Sequence, residues 1–117
     1  MSLLRLLALL LLLASPAQAQ RSGLYDIIGR NPDGSEYGGV AELQQVGLSS
    51  FRIVWETGGN IIEGVGMVSG LVLAVVFGLG DQTGMGMYEL RPDGTLEGSW
   101  TIIGSQVTGY ETLRPRR

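Results

Sequence analysis

The stretch from Phe51 to Gly80, FRIVWETGGNIIEGVGMVSGLVLAVVFGLG, constrains the fold more than any other. As a helix it would cross a membrane; as strands it is the apolar middle of a small β-protein. Seven glycines interrupt it, at positions 58, 59, 64, 66, 70, 78 and 80. Each costs about 1 kcal/mol against Ala inside a helix. Phe51, Ile53 and Trp55 alternate with Arg52 and Glu56, the period of two of a half-buried strand. Thr57-Gly58-Gly59-Asn60 is turn chemistry, because Gly and Asn accept positive φ. The uncharged run Gly64–Gly80 has 17 residues, the short end of the roughly 17–25 that a helical span needs. Its one GxxxG, Gly66 to Gly70, is a weak signal in so glycine-rich a chain. The stretch reads as strands.

The start of the chain carries an address. Arg5 precedes a run of Leu from Leu6 to Leu13, Pro16 ends it, and Ala17-Gln18-Ala19 is a cleavage site of the A-x-A kind. Residues 1–19 are therefore expected to be a secretory signal peptide and residues 20–117 a single exported domain, periplasmic or extracellular. Of 117 residues, 98 then remain, one domain able to bury over roughly 60% of its unfolded surface. There is no Cys, so no disulfide supports it. Removing Arg5 leaves seven Arg against eleven acids, a net charge of −4, without the basic face that a nucleic-acid partner requires. The Arg114–Arg117 end reads as a solvated tail.

All 19 glycines follow residue 20, between short runs rich in Val, Ile, Tyr, Trp and Thr. That pattern predicts eight strands, at about Gly23–Arg30, Ser35–Gln45, Leu48–Glu56, Ile61–Val68, Gly70–Gly78, Met85–Arg91, Thr95–Ile103 and Gln106–Leu113. Leu79–Gly84 reads as a polar loop. Asn31-Pro32-Asp33-Gly34 and Arg91-Pro92-Asp93-Gly94 are one hairpin design used twice. Pro presets φ, Asp suits the next turn position and Gly takes the left-handed one. Eight consecutive antiparallel strands leave two open edges unless the sheet closes. The expected fold is all-β, a small up-and-down β-barrel, with a β-sandwich as the alternative.

Several of these segments carry a resemblance. Gly23-Leu-Tyr25, Gly29 to Gly39, Trp55-Glu-Thr-Gly58, Tyr88, Asp93 to Trp100 and Gly109 to Leu113 together resemble a family of small exported proteobacterial proteins. Its members are often labelled fibronectin-binding proteins, which implies an adhesin-like partner outside the cell. The layout is also similar in outline to the calycin barrels, which include lipocalins and avidins. Gly23-Leu-Tyr25 stands where lipocalins carry Gly-x-Trp, so no ligand residue is carried over from them.

The inventory is poor for catalysis. Without His, Cys or Lys, most nucleophile–base pairs and the usual zinc or copper ligands are missing. Glu56 and Glu63 flank the Thr57–Asn60 turn and raise a remote carboxylate-based hydrolase, against the commoner reading of a solvated rim. Asp33 and Asp93 sit in turns that already explain them. The reading assigns no catalytic residue, cofactor or metal. The large aromatics Tyr25, Trp55, Phe77, Tyr88 and Trp100 either line a cavity for an apolar ligand or fill the core. The expected function is a non-catalytic binding module for a small apolar ligand or an extracellular protein; a structural or envelope-stress role is the alternative.

Overall fold

The computed structural model describes residues 22–117; the signal peptide expected at residues 1–19 lies outside them. Eight antiparallel strands follow one another: β1 (Gly23–Arg30), β2 (Glu36–Gln45), β3 (Ser50–Thr57), β4 (Asn60–Ser69), β5 (Val72–Leu79), β6 (Gln82–Leu90), β7 (Leu96–Ile102) and β8 (Gly109–Pro115). Each pairs with its sequence neighbours, and β8 returns to β1 from Tyr25↔Pro115 to Arg30↔Tyr110. The sheet is thus a closed barrel. Closure satisfies both edges, which the sandwich alternative would have left open.

Phe51–Gly80 is sheet throughout: β3, β4, β5 and two tight turns. Gly58 and Gly59 both have positive φ, 54° and 80°, as a two-residue hairpin of mirror-image type requires. The two Pro-Asp-Gly turns match bond for bond. Asn31 N–H donates to Ser35 O and Arg91 N–H to Thr95 O, each at 2.8 Å. Asp33 and Asp93 accept from the backbone N–H of Ser35 and Thr95, each at 2.9 Å, and Gly34 and Gly94 both sit at φ 89°.

Several boundaries differ from expectation, and the expected Arg114–Arg117 tail is partly strand, with Arg114 paired to Asp26 and Pro115 to Tyr25. Leu79–Gly84 is not a loop: Leu79 pairs with Gln82 and Gly78 with Thr83, so Gly80 and Asp81 alone make the turn. Small polar residues there read as loop, although an outward strand face tolerates them. β3 starts at Ser50, because Val46 N–H bonds Ser50 O at 2.9 Å and closes the link before it. β8 starts at Gly109. The segment before it is tied instead by Thr101 Oγ1, which donates to Val107 O at 2.8 Å.

The two ends of the interior differ. Tyr25, Leu43, Phe51, Ile53, Leu96 and Leu113 fill one end of the barrel, and the space between Leu43, Phe51, Leu73 and Leu96 is only about 10 Å³. Each such side chain contributes about 1.5–3 kcal/mol by leaving water. The other end, ringed by the β1–β2, β3–β4 and β5–β6 turns, is open.

Candidate functional site

Aromatic rings build the open end, and glycines make room for them. Gly29 is paired with Tyr37, Gly84 with Phe77 and Gly109 with Trp100 across the ladder. A Cβ on Gly29 would lie 2.0 Å from the Tyr37 ring, on Gly84 2.2 Å from Phe77, and on Gly109 2.3 Å from Trp100. No side chain fits there, so each ring lies flat over its neighbour's bare backbone. The rings meet edge to face, Trp55 and Phe77 at 5.5 Å between centroids, Phe77 and Trp100 at 6.4 Å, and Tyr37 and Trp100 at 6.4 Å.

Beneath them sits one buried acid, Glu111, 6% exposed. It faces inward because Gly109, Glu111 and Leu113 occupy the inner face of β8. Trp55 Nε1 donates to its Oε2 at 3.0 Å, and Tyr88 OH donates to the same oxygen. Tyr37 OH donates to Oε1 at 3.0 Å and accepts from Trp100 Nε1 at 2.9 Å. Burial pushes the Glu111 carboxyl above its ordinary range, while the bonds from Tyr88, Tyr37 and Trp55 pull it back down. Burial, and then the nearby Glu111 charge, hold the phenols of Tyr37 and Tyr88 above theirs.

Rings and acid together enclose a cavity of about 290 Å³. Trp55, Phe77, Trp100, Ile62 and Leu79 supply apolar wall. Tyr37, Tyr88 and Glu111 supply the polar end, and Asn31, Thr57, Gly58 and Asn60 the mouth. A mostly apolar concavity with a few convergent polar groups is the usual form of a small-molecule site.

Four of the five aromatics singled out in the sequence, Trp55, Phe77, Tyr88 and Trp100, meet in this cavity. Tyr25 does not join them; it is packed into the core and pairs with Ala41 and Pro115 on the filled side. Sequence reading missed Tyr37 and Glu111. The available signal for Glu111 was an acid in register with Gly109 and Leu113 on the apolar face of its strand. Glu56 and Glu63 do not face each other: Glu56 pairs with Ile61 and Glu63 with Val54, both acids exposed on the outside of the barrel.

No protein-family model matches the sequence, and no curated protein does. Solved structures do match. A redesigned β-barrel, mFAP1, bound to DFHBI superposes with a TM-score of 0.70 at 16% identity, over 82% of this chain and 95% of that one. EF1p2_mFAP2b bound to DFHBI gives 0.68 at 15% identity, over 86% and 97%. A de novo designed fluorescence-activating β-barrel gives 0.59 at 22% identity, over 81% and 93%. At these identities the likeness is one of fold, and none of the comparisons supports the fibronectin label.

Proposed function

We propose that the protein is a non-catalytic binding module that takes up a small, largely apolar molecule at the open end of its barrel. The observation that carries this reading is the cavity of about 290 Å³ walled by Trp55, Phe77 and Trp100. Trp55 also belongs to the buried core, whereas Phe77 and Trp100 stay half-buried in that wall. Designed barrels of similar fold are bound to DFHBI, which supports uptake of a small molecule by such a fold. The chemistry argues against hydrolysis: glycoside cleavage uses two carboxyl groups about 5–9.5 Å apart, and among the described residues Glu111 is the one acid lining the cavity. Two indoles in the wall give a direct assay. Adding N-phenyl-1-naphthylamine should quench Trp fluorescence and raise the dye's own emission. Ile62→Trp, which fills the cavity, should abolish both. Absence of dye uptake by the unaltered protein would overturn the proposal in favour of a structural or envelope role.

A second reading, a protein partner, rests on the outer face. Val65, Val76 and Met85 form one cross-strand row and Met67, Ala74 and Met87 the next, all exposed. Apolar patches of this kind mark interaction surfaces, and an extracellular partner such as fibronectin agrees with the resemblance in the sequence. Surface plasmon resonance on immobilised fibronectin tests it: binding that Val76→Glu does not weaken counts against this face. The Leu6–Leu13 run and Ala17-Gln18-Ala19 support export with cleavage after Ala19, which either reading would accommodate. Mass spectrometry of the exported protein should find Gln20 as its first residue, and an intact Met1 terminus contradicts that.

A further inference from the structure

The cavity holds an imbalance of charge. Every polar hydrogen around Glu111 points at it: Trp55 Nε1, Tyr88 OH and Tyr37 OH all donate to its two oxygens. An indole N–H can only donate, which fixes Glu111 Oε2 as an acceptor from Trp55 and the Tyr37 oxygen as an acceptor from Trp100. This is the pattern of an ionised carboxylate. No cation answers it. Among the described residues the ion pairs of Arg30, Arg91 and Arg116 are made to other acids on the surface, and no Arg lines the cavity. An uncompensated charge buried this deeply is expensive. A carboxylate offers about four lone-pair directions. Among the described residues Oε2 uses two and Oε1 one, from Tyr37, so one stays open.

Around that anion stand Trp55, Phe77 and Trp100, whose ring faces and edges form the wall. Aromatic faces attract cations within about 6 Å of the ring centre, most strongly where water is excluded. Resting on the ligand-binding reading above, we infer that the molecule held here is a small organic cation. Its ammonium or amidinium head is placed at Glu111 Oε1 and its apolar body between Trp55, Phe77 and Trp100. The volume suits a body of one or two rings, since about 150 Å³ already holds a benzene and about 290 Å³ is available. The head supplies the missing positive charge and an N–H for the open lone pair, making a charge-assisted bond.

Three molecules of nearly one shape separate charge from fit: benzamidinium, benzamide and benzoate. Calorimetric titration at neutral pH should rank them in that order, with benzamidinium at least about tenfold tighter than benzamide. Glu111→Gln, checked for folding by circular dichroism, should bring benzamidinium and benzamide to the same affinity. If that variant does not fold, the ranking on the unaltered protein decides alone. Equal affinities, or tightest binding of benzoate, would overturn the cation while leaving the apolar-ligand reading intact. The same holds if none of the three binds at millimolar concentration and N-phenyl-1-naphthylamine still does. Failure of the dye as well removes both.

Discussion

Glu111 is the residue whose environment departs most from what its type prefers. Replacing it separates its charge from its bonds. Glu111→Leu strands the Trp55, Tyr37 and Tyr88 donors, and each buried donor left unpaired costs about 1–3 kcal/mol. Urea unfolding of that variant should show a loss of about 3 kcal/mol or more, a large share of the roughly 5–15 kcal/mol of a domain this size. Glu111→Gln keeps an acceptor and should lose much less. It should also change the pH profile. Because burial raises the Glu111 carboxyl above its ordinary value of 4.5, the folded chain holds that proton more tightly than the unfolded chain does. Its contribution is complete below that ordinary value and is lost as pH rises through the elevated one. Asp33 and Asp93 run the other way. Bonds from Ser35 and Thr95 hold them below 3.8, so their contribution is present above that value and fades as pH falls further. Unfolding midpoints of unaltered protein and Glu111→Gln, compared from pH 4 upward, should show Glu111→Gln gaining on the unaltered protein toward neutrality. The two tryptophans also divide. Trp55 is 5% exposed, and Trp55→Ala should cost about 3–5 kcal/mol. Trp100 is half-buried in the cavity wall and should cost less. Arg52, exposed on the opposite face of β3 from Trp55, should tolerate Ala within about ±0.5 kcal/mol.

At the scale of the strand, glycine does two different jobs. At Gly58, Gly59, Gly34 and Gly94 it supplies positive φ for turns, and that role is visible in the neighbouring Asn, Pro and Asp. At Gly29, Gly84 and Gly109 it supplies empty space under a ring on the next strand. Gly109 offers the sharpest test. Its added Cβ would stand 2.3 Å from Trp100 Cε2 and 2.7 Å from the Nε1 that bonds Tyr37. Gly109→Ala must displace the indole, an overpacking error of about 1–3 kcal/mol, and should shift the Trp emission spectrum as well. Gly78→Ala meets nothing within 4 Å and serves as the control, with no change in thermal midpoint. Equal behaviour of the two variants would show that the ring does not need the bare backbone.

For the molecule as a whole, closure leaves an outside on which exposed apolar and charged side chains are unevenly mixed. The β4–β6 face carries Val65, Met67, Val76, Met85 and Met87, whereas Asp26, Arg30, Glu36, Glu42, Glu97 and Arg114 stand exposed on β1, β2, β7 and β8. A barrel embedded in lipid needs a continuous apolar band about 25 Å tall, and these charges interrupt it. Residues 20–117 are accordingly expected to refold from urea without detergent, checked by sedimentation; recovery only in micelles would contradict this. What the amino-acid sequence determined by itself was local. Alternation along Phe51-Ile53-Trp55, the Pro-Asp-Gly turns and Gly58-Gly59 depend on residues a few positions apart, so the strands and their antiparallel order could be read directly. Tertiary structure alone decided the rest, because it depends on pairings between distant segments. The β1–β8 ladder chose barrel over sandwich. The stagger of the closed sheet chose which aromatics became wall and left Tyr25 in the core. It also carried Glu111 to Tyr37, Trp55 and Tyr88, which lie 74, 56 and 23 residues away along the chain. A lone acid on an alternating strand says which way it points; only the closed barrel says what it meets there.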